Sequence, residues 1–293
     1  MHDPSSPACR ALLTTLSALT LAACLPEDTR PPPGVLRVNV RGTQAATALT
    51  TSDGFDVHFE RFLVTLGPVH VHGSDCDSYA EPQYDRIIDA SQPEPQKLND
   101  VYALGSCELG FRLAGPSSDT LLTKGVSETD KTRLRTTAKN ALGDGKVAIE
   151  VVGSASDGVS TKRFAWSFRE HVFYSRCPVP ETGQVPFELS PEKESTWLIT
   201  LHAEALFMSD AFDRANPLSF EPFALADDET GNGDGQITTE ELALAPAPAT
   251  AEPGVASLAE LLRTVRFPTV ARVSDSEPCK NVSLDRPLGE EGP

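Results

Sequence analysis

Between Thr230 and Glu241 the chain sets oxygen-bearing side chains at alternate positions: Thr230, Asn232, Asp234, Gln236 and Thr238, with Glu241 closing the run. Gly231, Gly233 and Gly235 stand between them. Glycines let a backbone curl tightly, and short oxygen donors on such a curl can converge on one point. A hard cation such as calcium takes roughly six to eight oxygens at 2.3–2.6 Å, and this spacing suits that demand. Ile237 is the one apolar side chain inside the run and has the place of an anchor that packs inward.

The segment resembles an EF-hand loop, or the related single calcium loops of bacterial secreted proteins. With Gly235 as the sixth position, Asn232 falls at the third, Asp234 at the fifth and Gln236, through its carbonyl, at the seventh. Thr238 takes the ninth, often a water-mediated position, and Glu241 the twelfth, where a bidentate carboxylate belongs. The first position holds Thr230 in place of the family's aspartate. A loop lengthened by two residues would bring Asp228 there, and Asp227 stands beside it. The resemblance therefore implies Ca2+ held by Asp228 or Thr230 together with Asn232, Asp234, Gln236, Thr238 and Glu241. Few formal charges imply weak affinity, in the micromolar to millimolar range of extracellular modules. The plain alternative is a surface turn rich in Gly, Asn and Asp that binds nothing.

The flanks of the loop have helix signals of unequal strength. Thr238-Thr-Glu-Glu241 is a capping box that opens a helix through Leu242 and Leu244. Before the loop, Pro222 confines any helix over Phe220 to Ala226 to about two turns. No second loop exists to pair with the first, since Gly143-Asp-Gly145 lacks the other ligands. A lone site of this kind stabilises a fold more readily than it senses a signal.

Other chemistry is sparse. His70 and His72 lie two apart on an expected strand, with Asp75 and Asp77 nearby, a set that either binds zinc or copper or is simply solvated. The sequence holds no GxSxG elbow, HExxH helix, Walker loop or GxGxxG turn, so no enzyme is expected. Six cysteines are present. Cys9 precedes the cleavage point described below, and Cys24 is set apart by it. Cys76, Cys107, Cys177 and Cys279 remain, an even number that suggests two disulfides with three possible connectivities. Cys76–Cys107 and Cys177–Cys279 are favoured, the first closing a local loop and the second stapling the C-terminal tail.

At the N-terminus Arg10 precedes an uncharged, mostly apolar run from Ala11 to Ala23, and Cys24 follows. The run falls short of the roughly 20 residues that cross a bilayer but suits a signal peptide. Leu21-Ala-Ala-Cys24 resembles the bacterial lipobox, which implies a lipid on Cys24 and cleavage before it. An ordinary cleaved signal peptide is the alternative, and both lead outside the cytoplasm. Leu25 lacks the aspartate of inner-membrane retention, which favours the outer membrane. Pro31 to Pro33 favour an extended tether. The net charge of −17 argues against nucleic acid and anionic lipid faces as partners and suits cations.

The elements that must carry the loop are mostly strands. Val35 to Val40, Phe55 to Glu60, Phe62 to Leu66, Val69 to His72, Arg86 to Asp89, Glu108 to Leu113, Lys146 to Val152, Thr161 to Phe168 and Thr196 to Leu201 are apolar runs, many alternating with period two. Asp157-Gly158 marks a hairpin, and Phe164, Trp166 and Phe168 share a face. Glu128 to Lys139 fits a short helix or a polar loop. Ser257-Leu-Ala-Glu260 is a capping box that opens a helix through Leu258, Leu261, Leu262 and Val265. The last dozen residues carry no pattern and are expected to be disordered.

The expected fold is mainly β: an antiparallel β-sandwich with a small helical C-terminal EF-hand-like appendage. Its parts are a signal peptide (1–23), a tether (24–34), the sandwich (35–205), the calcium segment (206–247) and a linker, helix and tail (248–293). The expected function is calcium binding by an envelope lipoprotein, structural within a surface adhesion or binding module with an unidentified partner. The rivals are a metal-free scaffold with a degenerate loop and a secreted hydrolase.

Overall fold

The structure is a computed structural model and describes residues 30–79, 83–180, 182–208, 217–249, 251–273 and 278–284. The signal segment and Cys24 lie outside the described residues. Residues Pro33–Pro293 cluster as one compact unit.

The unit is mainly β. In chain order the strands are β1 (Gly34–Gly42), β2 (Ala48–Thr50), β3 (Asp56–Leu66), β4 (His70–Ser78), β5 (Arg86–Asp89), β6 (Gln96–Leu113), β7 (Leu121–Leu122), β8 (Ala138–Asn140) and β9 (Gly143–Gly145). They continue with β10 (Ile149–Ser156), β11 (Thr161–Phe168), β12 (Val172–Cys177), β13 (Phe187–Leu189), β14 (Ser195–Leu201), β15 (Gln236–Ile237), β16 (Ala271–Arg272) and β17 (Asn281–Leu284). All but β8 and β9 belong to one curled mixed sheet whose main path runs β15-β11-β10-β3-β6-β1-β14-β16. The long strand β6 holds it together: its first half pairs with β1, its middle with β4 and β13, and its end with β12.

The sheet includes parallel pairs that alternation does not reveal. β1 runs parallel to β14 from Leu36↔Ser195 to Gly42↔Leu201, and β15 runs parallel to β11. The members of each pair are far apart in the chain, so no tight turn fixes their direction.

Local sequence explains most of the strands. In β1, Leu36, Val38 and Val40 are buried while Arg37 and Arg41 are exposed. In β3 the alternation holds through Phe59; from Phe62 to Leu66 every residue is buried. The change coincides with a register shift against β10 at Val152/Gly153. Beyond it both faces of β3 are covered, because Leu63 packs with Ile87, Leu134 and Val147 in a small second core. Leu134 comes from the helix Glu128–Leu134, which Ser127 and Asp130 open as a capping box. That box resolves the choice between helix and loop. The Asp157-Gly158 hairpin forms as expected, joining Ser156 to Thr161, although β10 starts later than the Lys146 start expected for it.

Both disulfides have the favoured pairing. Cys76–Cys107 joins β4 to β6, and Cys177–Cys279 bridges a separation of 102 residues. Structural disulfides of this kind belong to an oxidising compartment outside the cytoplasm. No described helix is long and apolar enough to cross a membrane. The tail corrects one expectation: Asn281–Leu284 forms β17 on β12, two residues past the staple at Cys279. The disulfide supplies the proximity that local pattern lacks.

Candidate functional site

The loop is held by the sheet on both sides. Before it, the short helix Glu221–Leu225 starts on a side-chain cap from a distant residue. Asp53 Oδ2 accepts from Ser219 Oγ and from the amides of Phe220 and Glu221 at 2.7–2.8 Å. Burial opposes the charge on Asp53, but these bonds and the Thr51 hydroxyl outweigh it and hold its pKa below the ordinary value. Phe220 and Phe223 then enter an aromatic cluster with Phe164, Trp166 and Phe207, with centroids 4.7–6.4 Å apart. Such pairs add about 0.5–1.5 kcal/mol each beyond their buried area. After it, Thr238 and Glu241 form the expected capping box of the helix Thr239–Leu244.

The middle of the loop joins the sheet as a strand. In β15, Gln236 pairs with Arg163 and Ile237 with Phe164. The Arg163 amide donates to the Gly235 carbonyl at 2.8 Å, and Trp166 Nε1 donates to the Ile237 carbonyl at 3.1 Å. Ile237 is buried in the main core, as its position implies. The strand pairing of this segment thus comes from β11, a strand of the main sheet.

Asp227 is the carboxylate that bonds the central glycine of the loop. A π-helical turn over Ala226–Thr230 carries extra residues between the helix and the glycines. It buries Asp227 completely and points Thr230 back into the turn, where its hydroxyl donates to the Ala226 carbonyl. Asp227 Oδ2 accepts from the Gly235 amide at 3.0 Å, and the Asp227 carbonyl accepts from the Gly233 amide at 3.0 Å. So the carboxylate that reaches the central glycine is Asp227, rather than Thr230 or Asp228. Its second oxygen, Oδ1, is buried and has no hydrogen-bond partner among the described residues.

The remaining candidates fall along the same curl. Asn232 Oδ1 accepts from the Asp234 amide, and Asp234 Oδ1 from the Gln236 amide. Asn232 Nδ2 donates to Asp234 Oδ2 at 3.0 Å. Glu241 closes the loop: Oε1 accepts from the Asn232 amide at 3.2 Å, and Oε2 from the amide and hydroxyl of Thr238 at 2.8 and 3.0 Å. A side chain at Gly231 would overlap Glu241 Oε1, and Gly235 sits at φ +82°, so both glycines are required.

Lys162 is the residue that spacing within the loop misses. Its ammonium donates to Asp227 Oδ2 at 2.7 Å and to Asp228 Oδ1. Lys162 is only 5% exposed, whereas the Asp228 side chain is half exposed. Burial opposes the charges of Lys162 and Asp227 alike, but their contact prevails: the lysine pKa is raised and the aspartate's lowered. The loop thus already holds one positive charge against its opening carboxylate. No three acidic, His or Cys side chains among the described residues converge closely enough to hold a metal together. Asp228, Asp234 and Glu241 do not converge in this way, nor do His70 and His72 with their acidic neighbours. The two imidazoles stack at 5.7 Å, and His72 faces Glu108 at 3.7 Å.

Comparison with protein-family models, with known proteins and with solved structures finds no match to this chain.

Proposed function

We propose that the chain is an extracytoplasmic envelope lipoprotein whose loop from Asp227 to Glu241 binds one calcium ion and so fastens the C-terminal segment to the sheet edge. Asp227, Asn232, Asp234 and Glu241, among which the carboxylates do not converge in the loop as it stands, would draw together on the ion, and the ion would add a second positive charge beside Lys162. The observation that carries this reading is Asp227 Oδ1, a fully buried carboxylate oxygen without a partner on the residue that opens the loop. An unpartnered buried acceptor costs about 1–3 kcal/mol, more when charged, and a bound cation relieves that cost. The same reading takes Cys24 as the lipid site, the outer membrane as the location and the curled mixed sheet as the sandwich-like body of a surface binding or adhesion module.

A second reading rests on Lys162. Its ammonium, bonded to Asp227 and Asp228, is a built-in cation, and a loop so neutralised would serve as a metal-free clasp. Calorimetry of calcium against the chelator-treated protein, beside Glu241→Ala, separates the two. Saturable heat near one equivalent, lost in the variant, supports the calcium site. No heat up to millimolar calcium, with the same melting in chelator, leaves the lysine clasp standing alone.

A further inference from the structure

We propose that a cavity at the shared carboxyl ends of β1 and β14 binds a small hydroxylated carboxylate. The cavity has a volume of about 860 Å³, within the roughly 300–1,000 Å³ usual for small-ligand pockets. It owes its place to the parallel pairing of β1 and β14, which end side by side at Gly42 and Leu201. The chain leaves each strand into the cavity wall, at Thr43 and at His202. The amide of Thr43 is fixed on the Leu201 carbonyl and that of His202 on the Val270 carbonyl. Gly42 lets the Ala90–Pro93 turn close against the strand end, since a side chain there would overlap the Ala90 carbonyl. That turn is itself tied: Asp89 accepts from the Ser91 amide and hydroxyl and from Gln92 Nε2.

The charges of the wall favour an anion. The one carboxylate among its described lining residues is Glu204, and both of its oxygens are engaged: Oε2 accepts from the Thr43 hydroxyl at 2.8 Å and Oε1 meets His202 Nδ1 at 2.8 Å. Burial opposes the charge of Glu204, but these two neighbours hold its pKa below the ordinary value. Arg41 and Arg272 line the same cavity. Arg272 donates Nε to the Thr269 carbonyl, while Arg41 is exposed and makes no ion pair with a described residue. In a chain of net charge −17, an arginine at the mouth of this cavity with no ion pair to a described residue is a recognition group for something from outside. A guanidinium presents a fork that matches a carboxylate in two parallel bonds. The remaining polar lining is hydroxyl and amide, from residues such as Gln44 and Gln92, which suits the hydroxyls of the same ligand. Among the described residues no Phe, Tyr or Trp lines the cavity, so they offer a flat ring no stacking surface.

The test is calorimetry in chelator, so that the loop takes no part, with three probes: gluconate, glucose and inorganic phosphate. Gluconate is expected to bind saturably and glucose not to bind. Arg41→Ala should weaken gluconate at least tenfold, as loss of a charge-assisted pair does, with an unchanged melting curve. Arg272→Ala is the second variant and should weaken it in the same direction. The proposal is overturned if gluconate shows no saturation on the order of 10 mM. It is also overturned if glucose binds equally, if phosphate binds more tightly than gluconate, or if Arg41→Ala leaves binding unmoved.

Discussion

Lys162 and Arg41 are cations on two strands of one sheet, and the protein treats them in opposite ways. Lys162 sits on the inward face of β11 with Phe164, Trp166 and Phe168, nearly sealed from water, with two aspartates on its ammonium. Arg41 sits on the outward face of β1 beside an open cavity, with no ion pair to a described residue. In a chain with a large acidic excess, finding a carboxylate for every cation is easy. A cation that is buried and doubly paired is therefore part of the architecture, and one left unpaired at a cavity is available to a ligand.

The largest break in this comparison is expected at Lys162. Lys162→Met leaves Asp227 buried without its counter-charge and should cost about 3–5 kcal/mol, read from denaturant midpoints. The double variant Lys162→Met/Asp227→Leu should recover most of that loss, since an apolar pair of similar volume needs no charge balance. A double variant as unstable as the single one would show that Lys162 acts by packing alone. Calcium sharpens the point: with the ammonium gone, added calcium should raise the melting temperature of Lys162→Met more than that of the parent protein. Equal shifts would separate the lysine from the cation site.

Glu241→Ala removes the loop closure and the cap together and should cost about 1–2 kcal/mol without calcium. A loss no larger than that of an ordinary surface change would mean that the loop closes without Glu241. Acid titration sets the next scale. The folded-state pKa of Asp227 lies below its ordinary 3.8. Its contribution to stability is therefore complete above that ordinary value and fades as pH falls below it, through the lowered folded-state pKa. Asp130, lowered to about 2 against burial by Ser127, Arg133 and Arg61, fades over the same acid range. Only the Asp227 share should vanish in the Lys162→Met/Asp227→Leu variant, whose stability then declines less steeply in acid. Identical acid limbs would remove Asp227 from the account. The smallest effect belongs to Arg41→Ala, expected to stay within about 0.5 kcal/mol of the parent. A larger loss would give Arg41 a structural role and undo the contrast.

Much of this was legible in the chain, unevenly and for physical reasons. The disulfides, the hairpin at Asp157-Gly158 and the cap at Thr238 and Glu241 follow from counts and short spacings, which survive folding unchanged. The helix Glu128–Leu134, open between helix and loop from spacing, had its signal in Ser127 and Asp130, where aspartate fills the capping position that glutamate more often holds. Ser257 caps as expected, but Glu260 reaches the Ala256 amide instead of Ser257's own. Asp227 was harder: spacing counts residues, and a π-helical turn changes how many fit between two points. Lys162 carried a signal in its period with Phe164 and Trp166, but a lysine at a strand end ordinarily faces water. The meeting of Thr43 with Glu204 carried none, since 161 residues separate them and only the parallel pairing of β1 and β14 joins them.

The seam between β15 and β11 has one more consequence. β15 lies at the end of the sheet path and covers β11 opposite Arg163 and Phe164. An uncovered strand edge of this apolar composition offers its amides and carbonyls to any passing chain. A loop detached from β11 would bare that edge, and its first sign would be concentration-dependent clumping of molecules whose remaining strands are still folded.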